Sequence, residues 1–284
     1  MSKDLLRDKI AGAVYGFAIG DAMGATTEFM SYQEIMRKYT QVRDIIGGGW
    51  LDLKAGEVTD DTQMTMCVME ALMDTCKGGS FVLDIFLAKC RINFIKWYSS
   101  KPKDIGGRCA RSIEWSLNSG RLFPEEDTQA LGNGSLMRAL PCALLINLDN
   151  NEDVNVKQGM LTHNNKTCTF SIEMYTQIIR KLLITNGLVM IPDTPSLMEP
   201  TGHVVNTLNN AVYFSGKSKT FEEAIIKAVN HGGDADTIAA ITGSIAGIRF
   251  GYNQIPTRWI DQLNNDVKIY LEKFINFVFS YLQN

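Results

Sequence analysis

A chain of 284 residues with 28 Lys+Arg against 31 Asp+Glu carries a net charge of −3. It lacks the basic field that a phosphate backbone demands, which excludes nucleic-acid binding by bulk charge. With 45% hydrophobic and 21% charged residues it is composed like an ordinary globular protein, and a chain this long buries about three quarters of its unfolded surface without staples.

From the N-terminus, mixed charges and no signal-peptide core are followed by an apolar run, Ile10 to Ile19, that Gly20-Asp21 stops. A bilayer span needs about 20 apolar residues, so no transmembrane segment is expected. Helical periodicity dominates the rest. Apolar spacing predicts helices over Leu5–Ile19, Asp61–Met73, Phe81–Tyr98, Gly107–Asn118, Ser135–Ile146, Lys166–Thr185, Thr201–Phe214, Phe221–Val229, Asp236–Phe250, Thr257–Leu263 and Val267–Leu282. From the first of these onward Gly12, Gly16, Gly20 and Gly24 recur every four residues, a stripe that lets another backbone approach closely. In the third, Phe81, Ile85, Cys90, Phe94, Trp97 and Tyr98 make a stripe expected to be buried. The segments 24–34, 43–61, 99–107, 120–134, 147–165, 187–200 and 230–235 read as connections, and they hold most glycine clusters and their neighbouring acids. Cys67, Cys76, Cys90, Cys109, Cys142 and Cys168 contain no C-x-x-C pair; they read as reduced thiols in a cytoplasmic protein. Length alone suggests about two domains, but no linker or composition shift divides the chain. Residues 1–284 are therefore read as one all-α domain.

Two acidic signals precede predicted helices: Thr59-Asp60-Asp61-Thr62 and His231-Gly232-Gly233-Asp234-Ala235-Asp236-Thr237. The plain reading is N-capping, worth about 1 kcal/mol per helix. The alternative is that the two helix starts meet and offer oxygens to hard divalent cations. Two carboxylates about 4 Å apart repel by roughly 4 kcal/mol at an effective dielectric of 20, so converging acids need cations between them. Caps would stay apart, and only the fold decides. Gly132-Asn133-Gly134-Ser135 is either a turn with a cap or a backbone N–H cradle for phosphates. It is no Rossmann fingerprint, because Met137 stands where the third glycine belongs. Glu28, among small and apolar neighbours, has the setting of a partly buried general base. Gly47-Gly48-Gly49-Trp50 reads as a tight turn beside an aromatic lid.

Taken in order, Gly20-Asp21-Ala22-Met23-Gly24 with Glu28, Val58-Thr59-Asp60-Asp61-Thr62-Gln63-Met64, Gly132 to Arg138, Thr162-His163-Asn164 and Gly232 to Thr237 resemble the motifs of the ADP-ribosylglycohydrolase family over roughly residues 8–262. Ala25 to Met30, Gly47 to Leu51 and Ile255-Pro256-Thr257-Arg258-Trp259 are similar to segments of its nitrogenase-regulating branch. The resemblance implies an all-α, single-domain orthogonal helical bundle with two divalent cations, Mg²⁺ or Mn²⁺. Their ligands would be Thr59, Asp60, Asp61, Asp234, Asp236 and Thr237. It implies catalytic roles for Glu28 and Asp104, and ADP-ribose binding by Gly132, Asn133, Gly134, Ser135, Met137, Arg138 and His163. The implied reaction is hydrolysis of the N-glycosidic bond between ADP-ribose and an arginine of a modified protein. The branch implies nitrogenase iron protein as a target and a PII-type protein as a regulator. Two other readings stay open: hydrolysis of a serine or nucleic-acid linkage, and a non-catalytic, crystallin-like ADP-ribose binder, which predicts eroded ligands.

Overall fold

The computed structural model describes residues 1–77, 81–146, 151–185 and 195–283. These are helical, with isolated bridges between Gly48 and Leu53 and between Gly132 and His203 and no strand among the described residues. The helices are α1 (Lys3–Gly24), α2 (Tyr32–Tyr39), α3 (Asp60–Cys76), α4 (Leu83–Ser99), α5 (Gly107–Ser119), α6 (Leu140–Leu144), α7 (Asn151–Met160), α8 (Lys166–Ile184), α9 (Val204–Lys217), α10 (Phe221–Val229), α11 (Ala235–Phe250), α12 (Thr257–Gln262) and α13 (Asn265–Tyr281). The all-α expectation holds. No described helix is long and apolar enough to cross a membrane.

α1 and α11 form the axis of the molecule. Every residue from Lys9 to Gly24 and from Ala235 to Arg249 is buried, as expected for helices apolar all round. The glycine stripe explains how they meet. A Cβ on Gly12 would overlap the Gly247 carbonyl, one on Gly16 that of Gly243, one on Gly20 that of Ala239 and one on Gly24 that of Ala235. The partners descend as the glycines ascend, so the helices run antiparallel with backbones in contact. The end of α1 is thereby pinned to the start of α11, next to Asp234 and Asp236. The apolar side chains of the surrounding helices join these two in one continuous core.

Three elements differ from the periodicity reading. α7 lies within the segment 147–165 read as a connection, and α2 begins in the segment 24–34 and runs on through residues 35–39, where no helix is expected. α2 buries only Ile35, too little for a stripe, and α7 fills its inner face with the polar Asn155 and Gln158, both fully buried. The helix expected over Ser135–Ile146 is instead a 3-10 turn at Asn133–Ser135 and a short α6, because Pro141 fits only the first turn of a helix. The stripe of α4 is carried by Phe86, Leu87, Cys90 and Phe94, whereas Ile85 is exposed. Residues 187–194 of the expected connection 187–200 lie outside the described residues.

Candidate active site

The C-terminal end of α1 turns back through Glu28 to Met30 against the start of α11. The Phe29 N–H donates to the Gly233 carbonyl (2.7 Å) and the Gly233 N–H to the Met30 carbonyl (2.8 Å). Asp21, inside α1 and fully buried, ties in a third element. It accepts from the Thr59 N–H (3.1 Å), the Thr59 hydroxyl (2.8 Å), the Thr62 N–H (3.0 Å) and the Thr62 hydroxyl. The first turn of α3 is thus clamped by a carboxylate from another helix. Thr59 caps α3 itself, accepting from the Asp61 N–H at 3.2 Å, so Asp60 and Asp61 are free of that duty. Asp234 flanks α11 without capping it, its carboxylate accepting instead from the Asn133 side-chain amide.

The two acidic clusters converge. The Thr237 hydroxyl on α11 donates to Asp61 Oδ2 on α3 at 3.2 Å, across 176 residues of sequence. Carboxylate oxygens of Glu28, Asp104 and Asp236 lie within 4.8 Å of one another. These acids line an open cavity of about 390 Å³ together with Asp60, Asp61, Asp234, Thr237, Gly132, Asn133, Gly134, Met137 and His163. Asp60 Oδ2 accepts from the Gly106 N–H at 3.2 Å, which draws the loop bearing Asp104 to the site. N-capping explains none of this convergence.

Burial and mutual repulsion hold these carboxyls far from their ordinary range. Glu28 is pushed up to about 8 by burial against the opposing Trp50 hydrogen bond, and Asp21 and Asp234 to about 6, burial again outweighing their hydrogen bonds. Asp60, Asp61 and Asp236 rise well above the carboxylate range, burial first and neighbouring acids second, and Asp104 rises through burial. Asp61 Oδ1 and Asp236 Oδ1 are buried acceptors without a hydrogen-bond donor. Orphaned carboxylate oxygens in an all-oxygen cluster are the donor set that hard divalent cations take, so the residues fit the implied ions.

Opposite the acids, the Gly132–Ser135 loop is fixed from several sides. The Asn133 N–H donates to the Gly202 carbonyl at 3.0 Å, and its side-chain amide to Thr207 Oγ1 at 2.9 Å. Gly132 and Gly134 are bare because a Cβ on either would press on the His163 ring, and one on Gly134 also on Cys109 Sγ. His163, paired with Thr162 Oγ1 at 2.9 Å, is driven down to about 3 by burial and by Arg138 and Arg108, so it stays neutral.

Three of the expected residues stand back from the cavity. Arg138 is fully buried behind the loop, donating to the Gly134 carbonyl, Gln158 Oε1 (3.0 Å), the Gln158 carbonyl (3.0 Å) and Thr162 Oγ1 (2.8 Å), with its guanidinium 4.8 Å from the Phe94 ring centroid. It supports the loop rather than facing a ligand. Ser135 is also fully buried, and Thr59 lies at the cap of α3. Asp21, to which the motif reading assigns no role, has one here, and Trp50, read as an aromatic lid, also bonds to Glu28. An acid in the apolar, glycine-striped half of α1 is the available signal for Asp21. Trp50 Nε1 donates to Glu28 Oε2 at 2.6 Å, a contact made across a loop that spacing does not reveal.

Comparison with known proteins agrees with this fold. The family model described as ADP-ribosylglycohydrolase matches residues 2–199 and 188–281. The chain is 32% identical to the ADP-ribosyl-(dinitrogen reductase) glycohydrolase of Rhodospirillum rubrum over 94% of each chain. It is 30% identical to the ADP-ribosylarginine hydrolase Tri1 of Serratia proteamaculans, over 92% of this chain and 77% of that one. A solved structure titled ADP-ribosylglycohydrolase-related protein complex shares the fold, with a TM-score of 0.77 at 24% identity over 99% of each chain. The chain belongs to the ADP-ribosylglycohydrolase family and is a hydrolase of that family.

Proposed function

We propose that this hydrolase removes ADP-ribose from arginine side chains of modified proteins, reversing mono-ADP-ribosylation in a metal-dependent reaction, with dinitrogenase reductase as a candidate target. The observation that carries the reading is the meeting of two acidic helix starts beside Glu28 in one cavity whose far wall is the Gly132–Gly134 loop. The names of the Rhodospirillum and Serratia relatives supply the linkage and the target.

Two divalent cations held by Asp60, Asp61, Asp234, Asp236 and Thr237, with Thr59 behind them at the cap of α3, would offset the acidic charge, lower the pKa of a nearby water and hold the vicinal hydroxyls of the proximal ribose. The chain's own groups do the rest. With the Asn133 N–H held by the Gly202 carbonyl, the backbone at Gly132 and Gly134, supported by the neutral His163, offers N–H donors and close approach to the diphosphate. As the bond from the anomeric carbon to nitrogen breaks, its electron pair leaves with the guanidine and the carbon becomes electron-poor. The surrounding carboxylates stabilise that charge. Water adds to the carbon, Glu28 or Asp104 takes its proton, and the departing guanidine is protonated to guanidinium. Every acidic ligand is present, unlike the eroded set expected of a non-catalytic binder.

The test offers peptides ADP-ribosylated on arginine or on serine and measures free ADP-ribose, with Mg²⁺ or Mn²⁺ and with EDTA. Release from the arginine peptide alone, abolished by EDTA, is expected. A preference for serine, or turnover indifferent to EDTA, would contradict the reading.

A further inference from the structure

At the mouth of the cavity, on the side of Glu28, two large aromatic rings stand in solvent. Phe29 is 66% exposed and Trp50 53% exposed, and their ring centroids lie 5.4 Å apart with planes inclined at 48°. Exposed aromatics of this size are normally dispersed or covered, and these two are held out by specific backbone features. Phe29 sits at φ 61°, a left-handed conformation that a bulky residue rarely adopts. Hydrogen bonds from its N–H to Gly233 and from the Gly233 N–H to Met30 lock it there. Trp50 follows three consecutive left-handed glycines, of which Gly49 lies so close to Ala25 that a Cβ would overlap its carbonyl. The left-handed Phe29 and the glycine turn before Trp50 therefore hold both rings at the rim of a cavity they help to line.

Their place relative to the reacting group narrows what they touch. The Trp50 indole donates to Glu28 Oε2 at 2.6 Å, and Glu28 is grouped with Asp104 and Asp236. The rings thus flank the carboxylates at the anomeric carbon, whereas the diphosphate and the distal ribose separate that carbon from the adenine. A group passing between Phe29, Trp50 and these acids is the one being cleaved from the ribose. A planar cation suits such a setting, because guanidinium stacks on aromatic faces while its N–H groups reach carboxylates. A serine hydroxyl has neither the plane nor the charge.

We propose that Phe29 and Trp50 form an aromatic clamp for the guanidinium of the leaving arginine and set the enzyme's preference for that linkage. This rests on the arginine-linked reading of the reaction, and its test is kept separate from turnover. In a Glu28→Gln background, which retains an oxygen acceptor for the indole and slows cleavage, calorimetry in Mg²⁺ measures binding of an ADP-ribosylated arginine peptide, an ADP-ribosylated serine peptide and free ADP-ribose. Phe29→Gly removes one ring at a position where glycine is the better backbone fit, and Trp50→Phe keeps a ring while losing the bond to residue 28.

The arginine peptide is expected to bind more tightly than the serine peptide. Phe29→Gly should lower that affinity about tenfold, equivalent to about 1.4 kcal/mol, with free ADP-ribose unchanged within about twofold. Trp50→Phe should keep the preference. An equal loss for free ADP-ribose would show that the rings hold the nucleotide and overturn the clamp. So would an arginine preference that is absent at the outset or survives Phe29→Gly. Cleavage of the arginine peptide by the unsubstituted enzyme is scored independently, so the reaction and the clamp can fail separately.

Discussion

Arg138 is a guanidinium with no exposure and no carboxylate partner among its hydrogen bonds; its donors instead hold the carbonyls of Gly134 and Gln158 and the Thr162 hydroxyl. Burial lowers its pKa, yet the ring of Phe94 and the surrounding acceptors take the charge. Replacing it with Met fills a similar volume but strands several buried acceptors. Arg138→Met is therefore expected to lose on the order of 3 kcal/mol of stability and to lower the melting temperature by roughly 6 °C or more. Thermal unfolding checks this, and a melting point within about 2 °C of the parent would show that the network is not supporting the loop. The family resemblance implies that Arg138 binds ADP-ribose. Only its burial shows otherwise. Asp21 went without a role for the complementary reason: its partners Thr59 and Thr62 lie on a different helix.

At the scale of elements, the α1 and α11 pair decides whether a site exists, since their antiparallel contact brings Glu28 to Asp234 and Asp236. Gly243→Ala places a methyl on the Gly16 carbonyl, and neither backbone can retreat. A loss of about 3 kcal/mol is expected by denaturant unfolding, whereas Gly106→Ala, with nothing near its would-be Cβ, should stay within about 1 kcal/mol. Equal effects would mean that the stripe is not the packing determinant. The glycine repeat was legible in the sequence because its period matches a helix face, and the long apolar helices were legible for the same reason. α2 and α7 were hidden where the period carries no apolar signal. Even so, α2 announces itself through Ser31 and Glu34, a reciprocal capping box in which Ser31 accepts from the Glu34 N–H and the Ser31 N–H donates back to Glu34 Oε2 at 2.7 Å. In α7 the buried Asn155 is satisfied by the Ala139 carbonyl (3.0 Å) and Thr176 (2.8 Å), pairings that no local pattern displays. Convergence of the acidic motifs was posed by the sequence as a choice, and only the chain's path answers it.

For the whole molecule, the acid cluster is expected to link stability to cations and pH. Glu28 is raised to about 8, Asp21 and Asp234 to about 6, and Asp60, Asp61 and Asp236 well above their ordinary values. With raised pKa values the folded state binds more protons than the unfolded chain, so unfolding free energy falls as pH rises from about 4 through about 8. The EDTA-treated protein should accordingly be more stable at pH 5 than at pH 8, by on the order of a few kcal/mol. Saturating Mn²⁺ should flatten that slope and raise the melting temperature most at the alkaline end. Melting curves across this range check the sign, and a metal-free protein that gains stability with pH would contradict it.

The central claim, that one centre is built from two helix starts far apart in sequence, is tested most directly by Mn²⁺ titration of the parent protein and of the Asp61→Ala and Asp236→Ala variants. Two bound ions are predicted for the parent, with either substitution weakening both sites because each helix start contributes to a shared cluster. Binding that loses one ion while the other keeps its full affinity, or a parent that binds no Mn²⁺, would contradict the account.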